Sequence, residues 1–191
     1  GATGINLSPS GAGSLGGNTA TISAGTNTVT LPSVTYDTAE TITLTATRTS
    51  GDALATSAAS SSIDVKARPT SAVTFPASGG SYNASGWATG CAPAGLCGSA
   101  TDNSGTGLAN VQLSIRRGTG NYWDGSGFNS ASEQFVTASL AGSNWSYAFG
   151  AGSFPAEGDY TIRVRATDNL GGVQSPLTSR TFTYDATAPN T

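Results

Sequence analysis

The sequence contains no histidine and no methionine, and its only cysteines are Cys91 and Cys97. Most nucleophile, general-base and metal-site chemistries therefore lack their usual parts, and catalysis is not expected. Charge is scarce as well: 10% of the residues are Asp, Glu, Lys or Arg, against about a quarter in an ordinary globular domain. The eight basic residues are scattered apart from Arg116-Arg117 and the net charge is only -3, so there is no electrostatic footprint for nucleic acid. No apolar run approaches the roughly 20 residues that a membrane helix requires, which excludes insertion by a helix. The chain opens at Gly1 in a polar stretch without a signal-peptide pattern and reads as a mature or excised fragment.

What the sequence does contain is Gly, Ser, Thr and Ala in abundance, with aromatic residues recurring inside alternating apolar and polar runs. Disordered chains are poor in aromatics and rich in net charge, so this one is expected to fold. The alternating runs are Thr28–Leu31, Glu40–Thr47 and Ser62–Val65, then Val111–Ile115, Asn144–Phe149, Tyr160–Ala166 and Arg180–Tyr184. Period-two alternation predicts strands, clusters of Gly, Ser, Asn and Asp separate them, and no segment holds an apolar period of 3.6 over ten residues. The expected class is all-β, built as a sandwich.

An internal echo suggests more than one module. Glu40-Thr-Ile-Thr-Leu-Thr-Ala-Thr47 matches Tyr160-Thr-Ile-Arg-Val-Arg-Ala-Thr167 in pattern, and Ala67-Arg-Pro-Thr70 echoes Thr187-Ala-Pro-Asn190, both at an offset of 120 residues. A period this long fits whole domains in tandem rather than a solenoid of short units. The expected organisation is a first domain over 1–68, a complete domain over 69–187 and the start of a linker at 188–191. The echoed strand comes early in the first domain and late in the second, so the first is expected to lack its N-terminal strands. A domain left open in that way offers a sheet edge to a strand donated by another chain.

Glu157-Gly-Asp-Tyr160-Thr-Ile162-Arg-Val164 resembles the F strand of immunoglobulin-like domains, in which a corner tyrosine hydrogen-bonds back to the chain. Tyr160, Ile162, Val164 and Ala166 would then face inward and Arg163 and Arg165 outward. Ile162 stands where antibody domains carry a cysteine, so the core would be aliphatic instead of disulfide-bridged. The segments Gly98–Asp102, Leu108–Ile115, Asn121–Gly125, Asn144–Phe149, Arg165–Asn169 and Phe182–Pro189 look like those of a bacterial immunoglobulin-like (Big-type) repeat. The resemblance covers about 70–189, and residues 1–68 resemble the later part of another such module more loosely. It implies tandem immunoglobulin-like β-sandwiches in a secreted or surface-anchored protein, acting as a spacer or adhesive stalk beside adjacent domains of the same polypeptide. The alternative is a module that binds a glycan or a surface protein, accessory to an enzyme or part of a filament. The internal Lys–Asn crosslink of many surface immunoglobulin-like domains is not expected in the second domain, because Lys66 is the only lysine.

Four sets of residues are candidate sites. Cys91 and Cys97 flank a five-residue loop in a chain that reads as exported, which predicts a local disulfide. Ala100-Thr-Asp102-Asn103 and Ala166-Thr-Asp168-Asn169 each terminate a strand, and in an immunoglobulin-like sandwich both loops emerge at one end. There Asp102, Asn103, Asp168 and Asn169 either hold a calcium ion that stiffens a domain junction or cap their own turns. Trp123 and Trp145 are expected in the core, whereas Trp87 and Tyr122 are expected to be exposed and able to stack on a ligand. Asp124 and Glu133 are the only local carboxylate pair that a glycosidase reading could use.

Overall fold

The computed structural model describes residues 1–187; the expected linker at 188–191, including the Ala188-Pro189 boundary, lies outside the described residues. The protein is mostly β and divides into two compact units, Gly1–Ala67 and Arg68–Thr191.

In the first unit, strand β1 (Thr3–Pro9) is flanked antiparallel by β3 (Thr19–Ile22) and β6 (Leu44–Ser50). Two small pairs complete it: β2 (Leu15–Gly16) with β4 (Thr35–Tyr36), and β5 (Thr41–Ile42) with β7 (Ile63–Asp64). The loop after β1 is clamped by side chains, since the Ala12 and Gly13 amides donate to Glu40 Oε1 (2.8 and 3.1 Å) and the Ser14 amide donates to Asp37 Oδ1 (2.8 Å). Among its residues only Thr3 and Ile42 are buried. The expected strand Thr28–Leu31 is not a strand, because its alternation finds no ladder partner. The run Glu40–Thr47 is divided at Thr43, whose carbonyl accepts from the Ser10 amide. The chain changes partner there, from β7 before Thr43 to β1 after it.

The second unit holds β8 (Thr70–Phe75), β9 (Ser81–Tyr82), a single helical turn α1 (Ala84–Ala88), β10 (Gly95–Thr101), β11 (Leu108–Arg117), β12 (Val136–Thr137), β13 (Ser139–Ala141), β14 (Asn144–Ala148), β15 (Gly158–Asp168) and β16 (Thr178–Tyr184). One sheet has the order β13-β14-β10-β8 and the other β12-β11-β15-β16-β9. All ladders are antiparallel except β9 with β16, which is parallel.

The two inner faces share one core. Alternation along β15 buries Tyr160, Ile162, Val164 and Ala166 completely, β11 adds Val111, Leu113 and Ile115, and the opposing sheet adds Val73, Phe75, Leu96 and Trp145. Arg163 and Arg165 lie on the opposite, half-buried face. The Tyr160 hydroxyl donates to the Ala156 carbonyl at 2.6 Å, tying the start of β15 to the preceding corner. Gly98 is required where β10 crosses the core, since a Cβ there would collide with the Ala72 carbonyl and stand 2.7 Å from the Trp145 ring. That glycine hides β10 from a reading based on alternation.

Candidate functional site

Trp87 is not an exposed platform. Asn83 caps α1 by accepting the Gly86 amide at 2.9 Å, and the single turn that follows points Trp87 inward, where its exposure is 0%. The indole stacks on Phe182 with centroids 5.1 Å apart and meets Phe154 and Phe75 at 4.8 and 5.0 Å. Its Nε1–H donates to the Phe149 carbonyl at 2.6 Å, so the one polar atom of the ring is satisfied inside the core. Burial of this kind corrects the expectation of ligand stacking.

Tyr122 is half-buried. Its backbone bridges Arg116 and Ser130, and the Arg116 guanidinium lies 5.0 Å from its ring centroid. The ring helps to line a small cavity of about 260 Å³ together with Ser114, Thr161 and Arg163. The neighbouring arginines on this sheet face are each held by the segment that crosses it: Arg163 by Glu133 (2.7 Å) and Arg165 by the ring of Phe135 (3.9 Å). Trp123 is half-buried at the margin of the core, with Nε1–H donating to the Tyr147 hydroxyl at 2.9 Å, and Trp145 is buried.

The loops that carry Asp102 and Asp168 do come together. The Asn169 amide donates to the Gly107 carbonyl (3.0 Å) and its side-chain amide to the Thr106 carbonyl (2.9 Å). Each carboxylate is nevertheless engaged by its own loop. Asp102 Oδ1 accepts from the Ser104 hydroxyl (2.6 Å) and amide (2.9 Å), and Oδ2 accepts from the Gly107 amide (2.6 Å). Those bonds, the Ser104 hydroxyl first, lower the Asp102 pKa to about 2. Asp168 is 3% exposed, and its Oδ1 accepts from the Leu170 (2.9 Å) and Gly172 (2.7 Å) amides. Asn103 donates its side-chain amide to the Arg68 carbonyl at 3.0 Å. Among the described residues no three His, Cys, Asp or Glu side chains converge.

Cys91 and Cys97 form a disulfide that links the segment after α1 to β10. Asp124 accepts from the Ser126 and Gly127 amides and from the Asn129 side chain, which hold its carboxyl below the usual range. Glu133 accepts from the Ser114 hydroxyl at 2.6 Å as well as from Arg163. Both acids are thus fixed by structural bonds.

One further concavity lies outside the four candidate sets. A cleft of about 880 Å³ opens where β11 ends and β15 begins, between the turn Gly118–Asn121, the loop Gly127–Asn129 and the corner Pro155–Gly158. Phe128 and Pro155 form its apolar lining, and Arg117, Asn121, Glu157 and Asp159 supply polar groups. Its only trace in the sequence is the glycine-rich spacing of Arg117-Gly-Thr-Gly-Asn121 and Gly125-Ser-Gly-Phe128. No protein-family model matches the chain, and no curated protein matches it.

Proposed function

We propose that this chain is a non-catalytic spacer segment of a bacterial extracellular or surface protein, built from immunoglobulin-like modules. The observation that carries the reading is where the chain enters and leaves the second unit. At one end, Arg68 bonds to Asn103 and, through Nη1, to the Val173 carbonyl (3.1 Å), beyond the last residue of β15. At the other, the Ala186 amide and Thr187 hydroxyl donate to Glu157, just before the first residue of β15. The eleven residues of β15 extend about 33 Å at roughly 3.3 Å per residue, so a module threaded this way adds length to a chain.

The ladders suit the same role. Tension between Arg68 and Thr187 pulls along β8 and β16, across hydrogen bonds that run perpendicular to the strands. β16 is held on both sides, by β15 through seven registered pairs and by the parallel β9. These bonds are sheared together instead of being opened one at a time.

The Cys91–Cys97 bridge favours an oxidising location. No helix among the described residues is long and apolar enough to cross a membrane. Small-angle scattering of head-to-tail copies of the chain tests the spacer reading. Each added copy should lengthen the maximum dimension by at least about 33 Å, and a dimension that does not grow with copy number contradicts it.

A further inference from the structure

We propose that the cleft at the β11–β15 end of the second unit is a binding site for a neutral oligosaccharide. The inference is separate from the spacer reading, and either can fail without the other.

The cleft has an apolar lining packed against the core. Phe128 lines it half-buried, and its ring is braced edge-on by Trp123 (5.5 Å), Tyr160 (5.7 Å) and Phe149 (6.3 Å). A fixed aromatic ring beside Pro155 suits the C–H face of a sugar ring, while hydroxyl groups require donors and acceptors around it. Those groups are present and in part unused. Among the described residues the Arg117 guanidinium and the Asn121 side chain make no hydrogen bond, although both line the cleft. Asn129 donates its amide to Asp124 at 3.0 Å, and its Oδ1 has no protein donor. Glu157 and Asp159 each engage one oxygen, on Thr187 and on Thr183 respectively, and each keeps a second.

Charge selects among ligands. One guanidinium against two carboxylates leaves a net negative lining that opposes a phosphate, sulfate or uronate, and Arg117 offsets part of its pull on an amine. A neutral polyhydroxyl compound meets donors and acceptors of both kinds without an uncompensated charge. The volume of about 880 Å³ lies in the upper part of the range of about 300–1,000 Å³ for ligand pockets, enough for more than one sugar ring. Two glycines keep the space open: Gly118 (φ +48°) and Gly158 (φ +124°) have nothing within 4 Å of an added Cβ, and their positive φ disfavours any side chain.

The test is NMR titration of the full chain with cellotetraose, maltotetraose, xylotetraose, mannotetraose and N-acetylchitotetraose, with a hyaluronan tetrasaccharide and a chitosan tetramer as charged comparators. At least one neutral probe is expected to shift the amides of Gly118–Asn121 and Gly127–Asn129 saturably. Arg117→Ala and Asn121→Ala should each weaken that binding by about tenfold while leaving the melting temperature unchanged. The proposal is overturned if no neutral probe moves those amides up to about 10 mM. It is equally overturned if a charged comparator binds there more tightly, or if the shifts persist unweakened in both variants.

Discussion

Replacing Trp87 by alanine should destabilise the second unit by about 3–5 kcal/mol, the usual cost of emptying a fully buried large aromatic site. Three observations set the upper part of that range. The indole has no exposed surface, five aromatic rings (Phe75, Tyr82, Phe149, Phe154 and Phe182) pack around it, and its removal leaves the buried Phe149 carbonyl without its donor. Trp87→Phe separates these contributions. It retains most of the ring contact and loses the hydrogen bond, so the orphaned carbonyl and a smaller cavity should together cost about 2–3 kcal/mol. At about 4 °C per kcal/mol for a unit of this size, the two variants should melt roughly 16–20 °C and 8–12 °C below the parent. Guanidinium denaturation followed by near-UV circular dichroism measures both, with calorimetry to assign the transition to the second unit. A loss below about 1 kcal/mol for Trp87→Ala would refute the placement of the indole in the core. Acrylamide quenching adds a check, since Trp87 should be shielded in the native state and accessible only after unfolding.

Other outcomes follow from the same geometry. Reducing Cys91–Cys97, or replacing both by alanine, should cost about 2 kcal/mol, because the closed loop spans a sequence separation of only six and its entropy term is correspondingly small; equilibrium denaturation under oxidising and reducing conditions measures it. The Asp102 pKa is lowered to about 2 in the folded chain, so its stabilising contribution is present in full above the unfolded value near 3.9 and is lost as the pH falls towards 2. Asp102→Asn should therefore flatten the acid limb of the stability curve between about pH 4 and 2, and an unchanged acid limb would count against the capping bonds. Chelation of divalent ions should leave the melting curve unaltered, since the Asp102 and Asp168 carboxylates are engaged by their own loops. A fall in melting temperature on adding chelator would favour the calcium reading of these loops.

The parts of the fold that alternation specifies locally are legible in the sequence. β15 is the clearest case, because every second residue from Tyr160 to Ala166 is apolar and buried and the intervening arginines lie on the other face. The same alternation failed for Glu40–Thr47, which looks like the copy of β15 but carries threonine where β15 carries arginine and changes sheets at Thr43. Partner choice depends on residues distant in the chain, and no local period encodes it. Trp87 was misread for a related reason. Its neighbours are Ala, Ser and Gly, typical of a polar loop, whereas its burial is decided by Phe149, Phe154 and Phe182, more than 60 residues away. The cleft was invisible because it is formed by three separate loops, each of which alone reads as an ordinary turn.

The spacer account is tested most directly by pulling the chain between its ends in a single-molecule force experiment. The first unit, with only Thr3 and Ile42 buried, should yield first and at low force. The second should yield later in one discrete step set by its unfolding barrier. Roughly 120 residues at about 3.5 Å each, less the folded length of about 33 Å and the loop locked by the disulfide, give a length gain of about 37 nm. Reduction of Cys91–Cys97 should add about 1.5 nm. A second unit that opens at the force of the first, or in several small steps, would contradict the spacer role.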